Sequence, residues 1–228
     1  MEHSADEMMT VAAARELRDG EVCFVGIGLP STAANLARGM HAPDVVLVYE
    51  SGTIGSKPTR LPLSIGDGDL AETADSVVSV PEIFNYWLQG GRIDVGFLGA
   101  AQIDRHGNLN STVIGSYDEP KVRLPGAGGA PEIAAQAGRV ITIIRQWPRT
   151  FVAELDFKTS LGARDQVVIT DLGMLRMREE LVLEALHPGV TLEQAREATG
   201  WELKVADDLE TTDPPTADEL AALRELNA

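Results

Sequence analysis

Short apolar runs alternate with stretches of helical periodicity along this chain. Val22-Cys23-Phe24-Val25 and Val45-Val46-Leu47-Val48-Tyr49 are continuous runs of branched and aromatic residues, the pattern of strands buried on both faces. The same pattern predicts strands over 77–80, 93–99, 109–114, 140–144, 166–170, 181–186 and 201–205, with the first two extending over 22–25 and 44–50. Between them, Ser4-Ala5-Asp6-Glu7 has the form of a capping box. Met8, Val11, Ala12 and Leu17 follow at helical spacing, with Gly20 as the stop. Further helices are expected over 31–38, 81–88, 132–137, 191–199 and 216–226. The stretch 53–68 is rich in Gly, Pro and Ser, lacks periodicity and reads as an ordered loop. Alternating strands and helices predict an α/β fold: a single open, mostly parallel sheet flanked by helices.

No composition break marks a linker, so residues 1–228 read as one domain ending in an acidic helix at about 216–226. The 19 basic and 35 acidic residues leave a net charge of -16. That balance disfavours nucleic acid, whose phosphates need a basic face, and anionic membrane surfaces. Part of the charge, between Asp207 and Glu225, reads as a solvated helix face. The N-terminus has no signal-peptide pattern, and a cytoplasmic setting is the expectation. Cys23 is the one cysteine, expected to be a buried inert thiol. Four scattered histidines give no metal-ligand spacing, so no metal is expected. His106 reads as a surface turn residue, and Phe84, Tyr86, Trp87 and Leu88 as core or subunit contacts.

The run over 45–49 stops on Glu50, and Ser51-Gly52-Thr53 opens a turn. Ligands of open α/β sheets sit at the carboxyl ends of strands. A charge there is a capping residue, an ion-paired residue or a working one. Two glycine segments bear on the choice. Gly26-Ile27-Gly28-Leu29-Pro30 links a strand to a helix, but Ser31 stands where a dinucleotide fingerprint needs its third glycine. Pro125-Gly126-Ala127-Gly128-Gly129-Ala130-Pro131 is a second loop whose consecutive amides can form an anion nest. A glutamate, ionised near pH 7 with a reference pKa of about 4.3, can act as a nucleophile without an activating base. It needs positioning and an oxyanion hole, whose backbone donors are worth about 3 kcal/mol each. No second acid beside Glu50 and no Ser-His-Asp set is evident. Acyl transfer through a carboxylate therefore fits better than glycoside or serine hydrolysis.

Taken in order, Gly26 to Pro30, Tyr49-Glu50-Ser51-Gly52, Ser64-Ile65-Gly66-Asp67, Gly99-Ala100-Ala101-Gln102-Ile103-Asp104 and Gly107-Asn108-Leu109-Asn110 make a specific series. Pro120-Lys121-Val122-Arg123, the Gly126 to Ala130 loop, His187-Pro188-Gly189-Val190-Thr191 and Thr199-Gly200-Trp201 continue it. With these motifs the chain resembles the B (beta) subunit of family I CoA-transferases. Within that family it is most similar to 3-oxoadipate:succinyl-CoA transferases, then to glutaconate CoA-transferases. The resemblance implies the CoA-transferase/sugar-phosphate isomerase-like fold and a ping-pong mechanism through a glutamyl-CoA thioester at Glu50. It implies coenzyme A as substrate and covalent intermediate, with no permanently bound cofactor. It also implies a homologous A (alpha) subunit that closes the site against water, in an α2β2 or larger assembly. Gly128, Gly129 and Ala130 match the family loop facing the oxyanion. Gly28, Ser51, Gly52, Gln102 and Asn108 match substrate- or CoA-binding positions.

One departure stands out. After Thr159-Ser160-Leu161-Gly162, relatives carry a longer Gly- and Arg-containing segment; here Ala163-Arg164-Asp165-Gln166 leads at once into Val167-Val168-Ile169. Alternatives left open are an acyl-CoA hydrolase on the same scaffold, a sugar-phosphate effector domain and a non-catalytic partner subunit. A dicarboxylic substrate needs a cation for its distal carboxylate. Lys57, Arg60 and Arg123 are candidates, each also readable as a surface charge or subunit contact.

Overall fold

The computed structural model describes residues 2–58 and 60–227. Met1 and Ala228, the ends of the expected single domain, and Thr59, inside the expected loop, lie outside the described residues. In chain order the elements begin α1 (Ala5–Arg15), β1 (Val22–Phe24), α2 (Leu29–Met40), β2 (Val46–Val48), β3 (Thr53–Ile54), α3 (Gly68–Glu72) and β4 (Ser76–Val77). Next come α4 (Val80–Glu82), a π-helical stretch (Ile83–Leu88), β5 (Val95–Leu98), β6 (Gln102–Ile103), β7 (Leu109–Asn110), β8 (Val113–Gly115) and β9 (Pro120–Arg123). The chain finishes through α5 (Ala130–Gln136), β10 (Arg139–Ile143), β11 (Gln166–Ile169), β12 (Gly173–Met177), β13 (Leu181–Leu186), α6 (Leu192–Glu197), β14 (Lys204–Thr211) and α7 (Ala217–Leu226). Two compact units result. One takes the chain to Phe97, Gln136–Gly138 and the chain from Pro215; the other takes Leu98–Ala135 and Arg139–Pro214. The expected α/β class, an open and mostly parallel sheet flanked by helices, is what forms.

In the first unit the strand order is β5-β1-β2-β3-β4. β1 pairs in parallel with both β2 and β5, while β3 and β4 add short antiparallel pairs. Helices α1, α2 and α7 pack on one another. The capping box is present: the Glu7 N–H donates to Ser4 Oγ at 3.1 Å and the Ser4 N–H to Glu7 Oε2 at 2.8 Å. Residues Met8 to Ala14 are all buried, so α1 hides more than the expected stripe. It has neighbours on two helices rather than one. Each large apolar side chain buried there stabilises by about 1.5–3 kcal/mol. The two chain ends are tied by ion pairs, Arg15 to Glu219 at 2.7 Å and Arg224 to Glu7 at 2.7 Å.

The second unit carries the order β10-β11-β12-β13-β14 and two small antiparallel pairs, β6-β7 and β8-β9. β10 and β11 are parallel and fully buried. A tight turn at Thr170, whose hydroxyl accepts from the Leu172 and Gly173 N–H groups, folds β12 back antiparallel. A buried polar chain braces this end. Gln146 donates to Thr199 Oγ1 at 2.9 Å and accepts from the Thr170 hydroxyl at 2.9 Å, while His187 reaches the Thr170 carbonyl and the Thr212 hydroxyl at 2.8 Å each. Because a carbonyl only accepts, His187 Nε2 carries the proton.

Several expected boundaries move for identifiable reasons. The strand over 44–50 shortens to β2. Tyr49 and Glu50 belong to a turn closed by Tyr49 N–H to Thr53 O at 3.0 Å and Gly52 N–H to Tyr49 O at 3.0 Å. The strand over 77–80 stops at Val77, because Ser79 and Glu82 form an unrecognised helix start; Glu82 accepts from both the N–H and the hydroxyl of Ser79. The strand over 109–114 splits because Asn110 Oδ1 accepts from the Thr112 and Val113 N–H groups and bends the chain. The acidic run from Asp207 is not only a helix face. Its first part lies on β14, the terminal strand of its order, where charges block further pairing. Among the described residues no helix is long and apolar enough to cross a membrane.

Gly52 sits at φ 114°, and a Cβ there would lie 2.0 Å from the Val78 carbonyl oxygen. Gly52→Ala is therefore expected to cost about 3 kcal/mol or more, a fall of roughly 6–12 °C in Tm, read by thermal melting. The Arg15 pair gives a second expectation. Burial raises the Glu219 carboxyl, but the Arg15 guanidinium and the Thr216 N–H and hydroxyl outweigh it and hold it at about 2. A depressed carboxylate contributes above its unfolded value and is lost as pH falls through the folded one. Glu219→Gln should lower stability by about 2 kcal/mol at pH 5–7, with the gap to the parent closing below about pH 4.5. Urea midpoints across pH 3–7 check it.

Candidate active site

In the first unit the candidate site residues stand at the carboxyl ends of β1 and β2. Their parallel register pairs Phe24 with Val48, and the Val25 N–H donates to the Val48 carbonyl at 2.9 Å. The two strands thus stop together. The turn over 26–28 leaves β1 where the turn over 49–52 leaves β2, which brings Gly28, Glu50, Ser51 and Gly52 into one region. Gly28 has φ 84° and caps α2, a 12-residue helix, with its carbonyl taking the Thr32 N–H at 3.0 Å. The start of α2 adds positive potential beside the strand ends.

Glu50 is half-buried. Its carboxylate has no hydrogen bond or ion pair among the described residues, so it is neither a cap nor half of a salt bridge. The residues around it are held firmly. Tyr49 is fully buried, and its hydroxyl lies 3.3 Å from Ser31 Oγ on α2. Asn35 Nδ2 donates to the Ser31 carbonyl at 2.9 Å, and Arg38 Nη2 donates to Asn35 Oδ1 at 3.2 Å and to the Pro58 carbonyl at 3.4 Å. Burial pushes the Tyr49 phenol up and the Arg38 guanidinium down from their ordinary values. Ser31, Asn35 and Arg38 recur at i, i+4 and i+7, a polar seam in an otherwise apolar helix, and that spacing was a usable signal in the sequence. Beyond Glu50, the buried hydroxyls of Ser51 and Thr53 have no hydrogen-bond partner.

The other expected site residues lie in the second unit. Gly126 and Gly128 take φ 103° and φ 50°, and the loop is pinned to Ser111, whose carbonyl accepts the Gly126 N–H at 2.8 Å and whose hydroxyl donates to the Gly126 carbonyl at 2.8 Å. The N–H groups of Gly128 and Gly129 have no acceptor among the described residues. The Ala130 N–H is committed to the Ala127 carbonyl at 3.0 Å, so two of the three expected amides are available. Gln102 and Asn108 are buried and occupied internally. Gln102 bonds Asp156 and Asn110 at 3.0 and 2.8 Å; Asn108 bonds Asp104 and the Gly162 N–H at 2.8 and 3.0 Å. Their side chains staple loops together. His106 is exposed in its turn.

The three cations considered for a distal carboxylate are all engaged. Lys57 pairs with Asp75 at 2.7 Å, Arg60 with Asp67 at 3.5 Å, and Arg123 lies over the Tyr117 ring at 4.9 Å. Among the described residues no group of three or more His, Cys, Asp or Glu side chains is placed to hold a metal.

Comparison with known proteins gives the family. Residues 6–198 match the family described as Coenzyme A transferase. The chain is 60% identical to the B subunit of the 3-oxoadipate CoA-transferase of Pseudomonas knackmussii, over 99% of this chain and 94% of that one. That alignment runs over 244 positions against 228 residues here, so the relative carries at least 16 residues that this chain lacks. Among solved structures, glutaconate coenzyme A-transferase from Acidaminococcus fermentans superposes with a TM-score of 0.90 at 30% identity, covering 98% of this chain and 94% of that one. The decarboxylase AibA/AibB gives a TM-score of 0.90 at 29% identity, with coverage of 98% and 94%. With the family match running over most of its length, and with relatives this similar along nearly all of it, the chain belongs to the coenzyme A transferase family.

Proposed function

We propose that this chain is the B subunit of a CoA-transferase that moves CoA from succinyl-CoA to 3-oxoadipate. The observation that carries it is Glu50: an unpaired, half-buried carboxylate at a strand end, on a rigid base, beside a glycine turn and a helix start. The substrates are inferred from the 60% identity to one half of a 3-oxoadipate enzyme. A homologous A subunit completes the enzyme, in an α2β2 or larger assembly. The family match runs through both compact units, which supports treating them as one B-subunit domain. A cytoplasmic setting suits Cys23, which is buried and in no disulfide.

In this reaction the Glu50 carboxylate attacks the thioester carbonyl of succinyl-CoA. The C–S bond breaks, CoA leaves as the thiolate, and a succinyl-glutamyl anhydride forms. The thiolate then attacks the glutamyl carbonyl, succinate departs, and a glutamyl-CoA thioester remains. The carboxylate of 3-oxoadipate enters and the two steps run in reverse. Carboxylates and a thiolate serve as nucleophiles throughout, so no proton need move. The catalytic burden falls on positioning and on donors for the developing oxyanion. The free amides of Gly128 and Gly129 support their assignment to that role, and the unpartnered Ser51 hydroxyl is a further donor beside Glu50. Water must be kept from the anhydride and thioester, a task for the A subunit.

Incubating the assembled complex with succinyl-CoA alone, then reducing with borohydride, should convert Glu50 to its alcohol, located by peptide mass spectrometry. Succinyl-CoA consumed without a modified Glu50 would point to hydrolysis instead. Glu50→Gln should lower kcat by about 10³-fold or more. Tyr49→Phe keeps the burial but frees the strand end from α2. Its kcat should fall about tenfold with KM within about twofold, and Tyr49→Phe combined with Ser31→Ala should cost no more than either alone.

A further inference from the structure

The connection leading into β11 borders a cleft of about 420 Å³. Its walls include Pro131, Ala134 and Ala135 of α5 and Lys158, Ser160 and Arg164 of that connection. All of these belong to the second unit, and Pro131 follows directly on the glycine loop. Three features distinguish the cleft. No carboxylate lines it, in a chain with 35 acidic and 19 basic residues. Lys158 and Arg164 have no ion-pair or hydrogen-bond partner among the described residues, unlike Lys57 and Arg60. Ser160 is 3% exposed, and its hydroxyl has no hydrogen-bond partner. A buried hydroxyl without a partner costs about 1–3 kcal/mol, a deficit that a bound oxyanion can offset.

Two free cations on a partly apolar wall suit an organic anion with a short carbon body. We infer that this cleft binds an anionic group of a transferase substrate, held by Lys158 and Arg164 against the α5 wall. The inference rests on the transferase reading for the identity of its ligands. Two substrate groups share this chemistry: the distal carboxylate of the dicarboxylic acid and the phosphates of coenzyme A. Neither cation was singled out in the sequence, because Lys158 and Arg164 stand six apart in a segment without periodicity.

The test uses the assembled complex, comparing the parent with Lys158→Glu/Arg164→Glu. Both side chains are exposed, so Tm should move by no more than about 2 °C. Affinities for CoA, dephospho-CoA and succinate are measured by titration calorimetry. KM is measured for the dicarboxylic acceptor and its half-methyl ester. A tenfold or greater loss confined to the diacid and succinate assigns the carboxylate. A tenfold or greater loss for CoA that is much smaller for dephospho-CoA assigns the 3′-phosphate; an equal loss for both assigns the phosphates they share. Lys158→Arg/Arg164→Lys should restore affinity to within about threefold. Affinities and KM values all within twofold of the parent in the Glu variant would overturn the cleft assignment. A parent complex that binds these ligands but never modifies Glu50 would overturn the transferase reading and leave the cleft standing.

Discussion

A carboxylate proposed as a nucleophile cannot be held by the partners that usually hold carboxylates. An arginine or a set of amide donors would fix it in place and also blunt it. Here the restraint is passed to its neighbours. The backbone turn over 49–53, the Tyr49 hydroxyl and the close approach of Gly52 to Val78 hold the chain beside Glu50 and leave its own oxygens unengaged. The rest of the first unit answers to that requirement. Parallel pairing of β1 with β2 ends the two strands level, and the Ser31-Asn35-Arg38 seam ties the strand end to α2.

The parts of this arrangement that were legible in the sequence are those written in local pattern. An apolar run that stops on a glutamate before Ser-Gly announces itself, and so does a strand leading into Gly26-Ile27-Gly28. Tyr49 did not announce its role, because an aromatic at the end of a buried run reads as core and its hydroxyl partner is 18 residues away. The two-residue strands β3, β4, β6 and β7 are too short to carry any periodicity. They exist because side chains such as Asn110 turn the chain and antiparallel neighbours then meet. The strand expected over 201–205 runs on as β14 to Thr211 because it pairs with β13, while its exposed acids carry no strand pattern of their own.

The relatives set a limit on what the scaffold says by itself. A glutaconate CoA-transferase and a decarboxylase superpose on this chain equally well. The fold therefore supplies the platform and does not by itself fix the chemistry.

The ion pairs joining α1 to α7 also bear on how the protein is made. One unit needs the first 97 residues and the last 14 together, and the other lies almost wholly in the continuous stretch between. On the ribosome, α1 and α2 emerge long before the helix that covers them. At about 5–20 residues per second the wait is on the order of ten seconds. The middle of the chain can therefore finish folding first, while the half that carries Glu50 stays open until α7 has emerged. A truncated product would retain the glutamate yet leave the α1–α2 apolar surface bare, a natural target for chaperones and proteases.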